Sequence, residues 1–249
     1  YACESGNIEL VKFIIEKNKI DINTKDKEKK TILHYASESE NIELVKYLIK
    51  YDIDINAIDV HGKTMLHYLC RSDDINIVKL ISTISEANFD VKDNDSRTLL
   101  HEACCIGNLK LVKFLVESGK IDVLTKDIHG NTLLHESYKN LQILQYLISL
   151  NKFDVNDKNK EGNTIFLQAA YAGNAHAIKY LASIPEVDIT VQNKNGLNAL
   201  HYLISKNNLS LVQFLVGLNK IPLNQVDRNK NTLLHFACEN KSTKILKYL

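Results

Sequence analysis

Three histidines are each followed by a cysteine three residues later, a spacing that puts both side chains on one face of a helix. The pairs are His67/Cys70, His101/Cys104 and His235/Cys238. Each pair offers half of a zinc site, or a nucleophile beside a base. A zinc site or a catalytic site would need groups from separate segments to lie close together. Whether the pairs can form such a site therefore depends on how the helices that carry them are arranged.

A four-residue string that mostly reads Thr-Leu-Leu-His recurs seven times along the chain. Its starts are Thr31, Thr64, Thr98, Thr132, Thr164, Asn198 and Thr232, and they are separated by 33, 34, 34, 32, 34 and 34 residues. Each string opens an amphipathic stretch, and a second apolar stretch at helical spacing follows it. A polar turn then leads to the next string. The period predicts a stack of helix–turn–helix repeats.

The repeat resembles the ankyrin repeat, whose pattern is D-x-x-G-x-T-P-L-H-x-A followed by a V-x-x-L-L helix and a D-V-N turn. The match is clear where Asp59-Val60-His61-Gly62 precedes Thr64-Met65-Leu66-His67. The resemblance covers residues 1–249. It implies an all-α solenoid: a single array of seven to eight helix–turn–helix units of about 33 residues, with short projecting β-turn loops, in a curved stack.

The chain departs from the family pattern at several places. Ile, Met, Leu or Ala replaces the family's Pro, so the first helix lacks the fixed φ that Pro supplies. Counting the partial repeat at Tyr1 as the first, the sixth repeat, whose string starts at Thr164, has Leu167 where the others have His, and the fifth repeat, whose string starts at Thr132, is two residues short around residues 138–140. The turn before Thr98 also reads as two residues short, counted from Asp90. We expect local irregularity at these places.

The alignment puts both ends of the chain inside a repeat. Tyr1 aligns with Tyr35, and Leu249 aligns with Leu48. Neither end carries the polar outer face of a terminal repeat. We therefore expect this segment to belong to a longer array.

The composition argues against several classes of function. A balance of 31 Lys+Arg against 30 Asp+Glu gives no net attraction to nucleic acid or to an anionic membrane. No segment approaches the ~18 uninterrupted apolar residues of a membrane span. The 9 Gly are scattered, so no phosphate-binding loop is predicted. Five Cys, an odd number in a chain too large to need disulfides, favour free thiols and a cytoplasmic location, with the nucleus also open.

The repeat gives the histidines and cysteines a structural interpretation. Four of the cysteines share one repeat position with Ser37, which suits a small buried residue; they are Cys3, Cys70, Cys104 and Cys238. Neighbouring repeats lie about 8–10 Å apart, too far for two pairs to share a zinc ion with ~2.0–2.3 Å bonds. We predict no metal site, no cofactor and no catalytic residue.

The family resemblance implies that the Thr and His of each string bond to each other, and that the His also bonds to backbone across the repeat boundary. These structural residues are Thr31, His34, Thr64, His67, Thr98, His101, Thr132, His135, His201, Thr232 and His235.

In the family, the residue after the string's His lies on the concave side. Down the chain these residues are Tyr1, Tyr35, Tyr68, Glu102, Glu136, Gln168, Tyr202 and Phe236. Two aromatic patches flank an acidic centre, which would suit a partner segment that carries Lys or Arg beside apolar residues. The alternative is that the rings only cover the turn of the adjacent repeat. A second candidate set lies at the turn tips: Lys27, His61, Lys63, His129, Asn131 and Arg228.

Asn56 lies in the L-x5-D-[V/I]-N setting that includes Leu48 and Asp54. The family resemblance implies two readings of such an Asn, a hydroxylation target or a structural residue that bridges turns. The structural reading is the preferred one.

The resulting hypothesis is a non-catalytic protein–protein interaction scaffold. It would be a monomer that presents its concave surface to a protein or peptide, without nucleic acid and without insertion into a membrane. The alternative is a targeting or regulatory repeat segment of a larger enzyme, ion channel or ubiquitin-ligase adaptor.

Overall fold

The computed structural model describes residues 6–18, 21–72, 74–84 and 86–249. The chain divides into an N-terminal unit, Tyr1–Thr125, and a C-terminal unit, Lys126–Leu249. Within the described residues the regular elements are fifteen helices, and no strand is present. The predicted all-α helix–turn–helix architecture is therefore confirmed, whereas a single array over residues 1–249 stays a prediction.

The N-terminal unit stacks its repeats through their first helices. Its helices are α1 (Ile8–Asn18), α2 (Ile32–Glu38), α3 (Ile42–Leu48), α4 (Met65–Leu69), α5 (Ile75–Ser82), α6 (Leu99–Ile106) and α7 (Leu109–Ser118). Helix α2 packs on α4, and α4 packs on α6. Helix α3 packs on α2, and α7 packs on α6. Leu33, Leu44 and Leu48 are almost fully buried between them. Burial of each such leucine contributes about 1.5–3 kcal/mol.

The C-terminal unit repeats this arrangement. Its helices are α8 (Leu133–Ser137), α9 (Leu141–Ser149), α10 (Ile165–Ala172), α11 (Ala175–Ala182), α12 (Ala199–Ser205), α13 (Leu209–Gly217), α14 (Leu233–Glu239) and α15 (Thr243–Tyr248). The first helices α8, α10, α12 and α14 pack in sequence, and each pairs with the second helix that follows it. Phe166 of α10 is fully buried. In the described ranges, no helix combines the length and apolarity needed to cross a bilayer.

Each turn is organised by an Asp or Asn at its first position, which we call the cap residue. Oδ1 of Asp59 accepts the backbone N–H groups of His61 and Lys63 at 2.8 and 2.9 Å. The same two bonds form in the other turns, whose cap residues are Asp26, Asp93, Asp127, Asn159, Asn193 and Asp227. Gly62, three residues after Asp59, takes a φ of +74°. Glycine adopts that left-handed conformation without strain.

Consecutive turns within a unit are joined by backbone hydrogen bonds. Val60 donates to the carbonyl of Glu28 at 2.9 Å. In the C-terminal unit Lys160, Lys194 and Arg228 donate to the preceding turn at 2.8–3.0 Å. Each turn is thereby fixed both by its own cap residue and by its neighbour.

An Asn before the second helix also joins repeats. Oδ1 of Asn108 accepts the backbone N–H of Leu111 at 3.1 Å, while its Nδ2 donates to the carbonyl of Ser72 at 3.0 Å. Asn174 bonds in the same way to Ala177 and to Tyr138. One side chain thus caps its own helix and bonds to the preceding repeat.

The turn before Thr98 is not shortened, so that expectation was wrong. Oδ1 of Asn88 accepts the N–H of Asp90 at 3.0 Å, just as Asp54 accepts that of Asn56. Asn88 is therefore the equivalent of Asp54, and it lies 10 residues before Thr98. The error came from aligning Asp with Asp, although an Asn side chain makes the same turn bond.

The shortening in the fifth repeat lies between Thr132 and the cap of α9. Asn140 caps α9 eight residues after Thr132, whereas Asn108 caps α7 ten residues after Thr98. In the sixth repeat, Leu167 is fully buried where the other strings have His.

Candidate binding surface

Thr and His of each string bond to each other at the start of the first helix. Thr31 Oγ1 lies 3.0 Å from His34 Nδ1, and the backbone N–H of Thr31 donates to the same nitrogen at 3.1 Å. The imidazole proton therefore sits on Nε2, which donates to the carbonyl of Lys63 in the next repeat at 3.1 Å. His135 does the same to Asn163 at 2.9 Å. This His takes the place of the Glu or Gln of a capping box.

The other strings share the bond within the repeat. The distances from His Nδ1 to the string's first side chain are 3.1 Å for His67, 3.0 Å for His101, 2.9 Å for His135, 2.7 Å for His201 and 2.8 Å for His235. Burial lowers the pKa of His67 to about 4, because the protonated ring would lose its hydration. Where burial lowers the pKa of a string histidine, its imidazole is neutral at pH 7 and has a structural role.

The His-x-x-Cys pairs are not arranged for catalysis or metal binding. Cys70 Sγ donates to the carbonyl of Leu66, and burial raises the pKa of its thiol, so the nucleophilic thiolate is disfavoured. Across the described residues no group of three or more His, Cys, Asp or Glu side chains is placed to hold a metal ion. Cys238 on α14 is exposed, where a buried residue was expected. Cys3 lies outside the described residues.

In the N-terminal unit, the candidate aromatic residues surround a lysine, and we call this set the N-terminal patch: Lys30, Tyr35 and Tyr68. The Lys30 ammonium lies 5.4 Å from the centre of the Tyr35 ring and 5.2 Å from that of Tyr68. Its Nζ also pairs with Glu38 at 3.0 Å and with Glu28 at 3.6 Å. Burial alone would lower the pKa of Lys30, but these two carboxylates outweigh it and raise that pKa.

The tyrosine hydroxyls of this patch are used within the protein. Tyr35 donates to Asp26 at 2.5 Å and Tyr68 donates to Asp59 at 2.6 Å, so each ring is tied to the cap residue of its own turn. The Tyr68 ring also meets the His34 ring edge-on at 6.0 Å. These bonds agree with the interpretation that the rings cover turns, and both tyrosines remain half-buried. Tyr1 lies outside the described residues.

Glu102, the acidic candidate residue of the N-terminal unit, is paired with two cations of the same unit. Glu102 Oε2 lies 3.6 Å from Lys63 Nζ and 3.9 Å from Arg97 Nη2. The three side chains line a pocket of about 380 Å³ together with Tyr68 and Asp93. Glu102 is therefore less available to a basic partner than its place in the repeat suggests.

In the C-terminal unit, the aromatic residues form a second set, which we call the C-terminal patch: Tyr171, Tyr202, Lys206 and Phe236. The rings of Tyr171 and Tyr202 meet edge-on at 5.4 Å, and the Lys206 ammonium lies 5.4 Å from the Tyr171 ring centre. The Phe236 ring packs at 4.9 Å against His201. Tyr171 is 56% exposed, more than any other large apolar side chain of this unit.

Tyr171 was missed by sequence reasoning, which followed only one residue per repeat. It lies three residues after Gln168 on α10, so both share a helix face. Helical spacing could have identified it. Gln168 and Glu136 are half-buried at the predicted position.

The turn-tip candidates divide into two groups. The side chains of Lys27, His61, His129 and Arg228 are exposed. Lys63 pairs with Glu102, and Asn131 Nδ2 donates to Asp127 at 3.0 Å. Lys63 is therefore held by an ion pair to the next repeat, and Asn131 is held by a hydrogen bond to the cap residue of its own turn.

A family model described as Ankyrin repeats (3 copies) matches residues 1–93, 74–159, 136–216 and 166–249. The chain belongs to the ankyrin-repeat family. Ankyrin repeats generally act as protein–protein interaction modules and are typically non-catalytic. No curated protein matches the chain.

The Asn of the ankyrin D-[V/I]-N turn bridges repeats in this chain. Asn56 Nδ2 donates to the carbonyl of Glu86 at 2.6 Å, and its Oδ1 accepts the N–H of Asn88 at 2.8 Å. Both ends of the side-chain amide are therefore engaged by the next repeat. Asn156 bonds to Glu186 and Asp188 in the same way.

Proposed function

We propose that this ankyrin-repeat chain is a non-catalytic scaffold that binds a protein or peptide through its first helices and turns. The proposal includes a monomeric state and a cytoplasmic location, and it needs neither nucleic acid nor membrane insertion. The buried thiol of Cys70, which forms no disulfide, supports a reducing compartment.

One observation carries the proposal: the C-terminal patch exposes the ring of Tyr171 and holds it against the half-buried Tyr202. Tyr171 keeps 56% of its surface exposed while its ring is fixed against Tyr202 and Lys206. Aromatic side chains that are held in place supply large contact area at little cost in side-chain entropy. They are favoured anchors for a partner.

Rigid turns support the same proposal. Each turn is held by a cap residue and by a backbone bond to its neighbour, as at Asp59 and Val60. A surface that is already ordered loses little conformational entropy when a partner binds. The array would therefore act by presenting side chains in a fixed arrangement.

The chemistry of the strings gives no support for catalysis. The Nδ1 atom of His67 is occupied by Thr64, and the Cys70 thiol is directed to a backbone carbonyl. Neither side chain is placed to take a proton from the other.

The test begins with a selection of peptides from a phage-displayed library against the immobilised chain. Enriched peptides are then measured by isothermal titration calorimetry against Tyr171→Ala and the double variant Tyr35→Ala/Tyr68→Ala. The matched control is Phe13→Ala, because Phe13 is 57% exposed on the second helix α1. We expect Tyr171→Ala or the double variant to weaken binding about tenfold or more, and Phe13→Ala to leave it unchanged. Loss of binding in Phe13→Ala, with both first-helix variants unaffected, would place the binding surface on the second helices.

A further inference from the structure

Three cations occupy the same position in three consecutive turns of the C-terminal unit. Lys160, Lys194 and Arg228 each follow the cap residue directly, and all three side chains are exposed. Their backbone N–H groups bond to the preceding turn at 2.8, 3.0 and 2.9 Å. The side chains therefore start from equivalent points, separated by the spacing of packed helices, about 8–10 Å.

The turns beneath two of these cations lack the usual carboxylate. Asn159 and Asn193 accept the same pair of backbone N–H groups that Asp59 accepts in the N-terminal unit. The amide oxygen supports the turn without adding negative charge. Lys160 and Lys194 therefore stand over neutral caps.

Two more cations extend this row, which we call the basic ridge: Lys158, Lys160, Lys194, Arg228 and Lys230. Lys158 and Lys230 are exposed in the same turns. The acidic residues in and beside these turns are Glu161, Asp227 and Asp157, of which Asp157 pairs with Lys126 at 2.6 Å, so positive charge prevails.

The charge of the whole unit has the same sign. The C-terminal unit contains 14 Lys+Arg and 9 Asp+Glu, whereas the N-terminal unit contains 17 and 21. In the turns of the N-terminal unit, the residues after the caps are Lys27, Val60 and Asn94. Three cations in register are thus found in the C-terminal turns and not in the N-terminal turns described.

We propose that the basic ridge binds an extended acidic segment of a partner protein. This inference rests on the proposed function and adds the chemistry of one part of the partner. An extended chain of the polyproline-II type has three residues per turn and advances about 3.1 Å per residue, so every third side chain points the same way about 9 Å apart, which matches repeats about 8–10 Å apart. An Asp or Glu at every third position would meet the ridge in register. A peptide is favoured over nucleic acid because ankyrin repeats generally act as protein–protein interaction modules.

The test uses the full chain and a fluorescein-labelled peptide of repeated Glu-Ser-Gly, followed by fluorescence anisotropy. A second peptide has the same composition with its Glu residues grouped at one end. The ridge variant is Lys160→Gln/Lys194→Gln/Arg228→Gln. The matched control is Lys179→Gln/Lys244→Gln/Lys247→Gln, whose exposed lysines lie on the second helices α11 and α15. Circular dichroism and urea midpoints verify that both variants are folded.

We expect the ridge variant to weaken binding of the Glu-Ser-Gly peptide about tenfold, and the control about twofold or less. Binding should weaken as sodium chloride is raised, and the grouped peptide should bind less tightly. Equal losses in the ridge and control variants would overturn the inference, since net charge alone would then explain binding. Tighter binding of single-stranded DNA than of the peptide, lost in the ridge variant, would overturn it in favour of nucleic acid. If the peptide binds the ridge variant as tightly as the wild type, the basic ridge is refuted as the binding site of the acidic segment. That result leaves the proposed function untouched, because the binding of selected peptides to Tyr171→Ala decides it separately.

Discussion

The buried imidazole of His67 predicts that mild acid destabilises the chain. The side chain is 2% exposed, and burial lowers its pKa to about 4, although Asp93 and Glu102 favour the protonated form and Lys63 disfavours it. Its Nδ1 already accepts the backbone N–H of Thr64 at 3.1 Å. A second proton would break that bond and leave a charge in the core.

The size of the effect follows from the two pKa values. An unfolded His titrates near 6.5, so below that pH the unfolded state binds more protons than the folded state. The stability that neutral His67 contributes is therefore present above pH 6.5 and is lost as the pH falls toward 4. Between pH 7 and pH 5 this amounts to about 2 kcal/mol. Burial also lowers the pKa of His34, His135 and His201, and their effects have the same sign.

The assay is urea unfolding at pH 7 and pH 5, with wild-type chain and His67→Gln. Gln is the usual partner in a capping box, so it keeps the bond to the string and removes the titration. The wild type should lose at least about 2 kcal/mol between the two pH values, and His67→Gln should lose about 2 kcal/mol less. His129→Gln, at an exposed turn position, is the control for replacing a His by Gln. The same pH dependence in wild type and His67→Gln would refute the reasoning.

Three further predictions concern the turns and caps. Lys29 has a φ of +58°, a left-handed conformation that glycine adopts more easily, so Lys29→Gly should raise the free energy of unfolding by about 0.5–1 kcal/mol. Gly62→Ala should lower the free energy of unfolding by at least about 1 kcal/mol, because the new Cβ would lie 2.7 Å from Asn94 Oδ1. Asp59→Asn should cost less than Asp59→Ala, because the amide oxygen still accepts both turn N–H groups and the amide N–H can donate to the Tyr68 hydroxyl, as Asn193 donates to Tyr202 at 2.7 Å. Asp59→Ala loses all of these bonds and should cost about 1–2 kcal/mol. Asn174→Ala should cost about 1–2 kcal/mol, since it loses the cap of α11 and the bond to Tyr138. Urea unfolding at pH 7 measures the stability of all these variants. The cap role of Asp59 would be contradicted if Asp59→Asn and Asp59→Ala were equally stable. A destabilised Lys29→Gly would contradict the strain at Lys29, and an unchanged Asn174→Ala would contradict the two bonds of Asn174.

The architecture was predictable because one pattern is repeated along the chain. A single string such as Thr64-Met65-Leu66-His67 would be ambiguous, but seven copies at nearly constant spacing fix where each helix begins. The apolar positions then follow, and Leu33, Leu100 and Leu200 are all buried. Local propensity and burial agree at these three positions, so the fold could be derived without a structure.

The surface was less predictable because side-chain direction depends on neighbours in space. The repeat pattern gives no partner for Lys30, yet its ammonium packs between two tyrosine rings contributed by different repeats. Glu102 was read as a free acidic group, yet two cations from preceding turn residues compensate it. These pairings join residues of different repeats or turns, and the repeat pattern does not specify the reach of a long side chain.

Equivalent residues of different type were the other source of error. Asn88 stands in the place of Asp54, and Asn193 in the place of Asp59, because an amide oxygen makes the same turn bonds as a carboxylate. Alignment by residue identity overlooks this substitution, although it changes the charge of the turn.

Hydrogen–deuterium exchange of the chain with and without a selected peptide tests the central claim most directly. Our account predicts slower exchange in the first helices and turns of the C-terminal unit, residues 159–171 and 193–206, where Tyr171 and Tyr202 lie. Slower exchange confined to the second helices α11 and α13, with these segments unchanged, would contradict it.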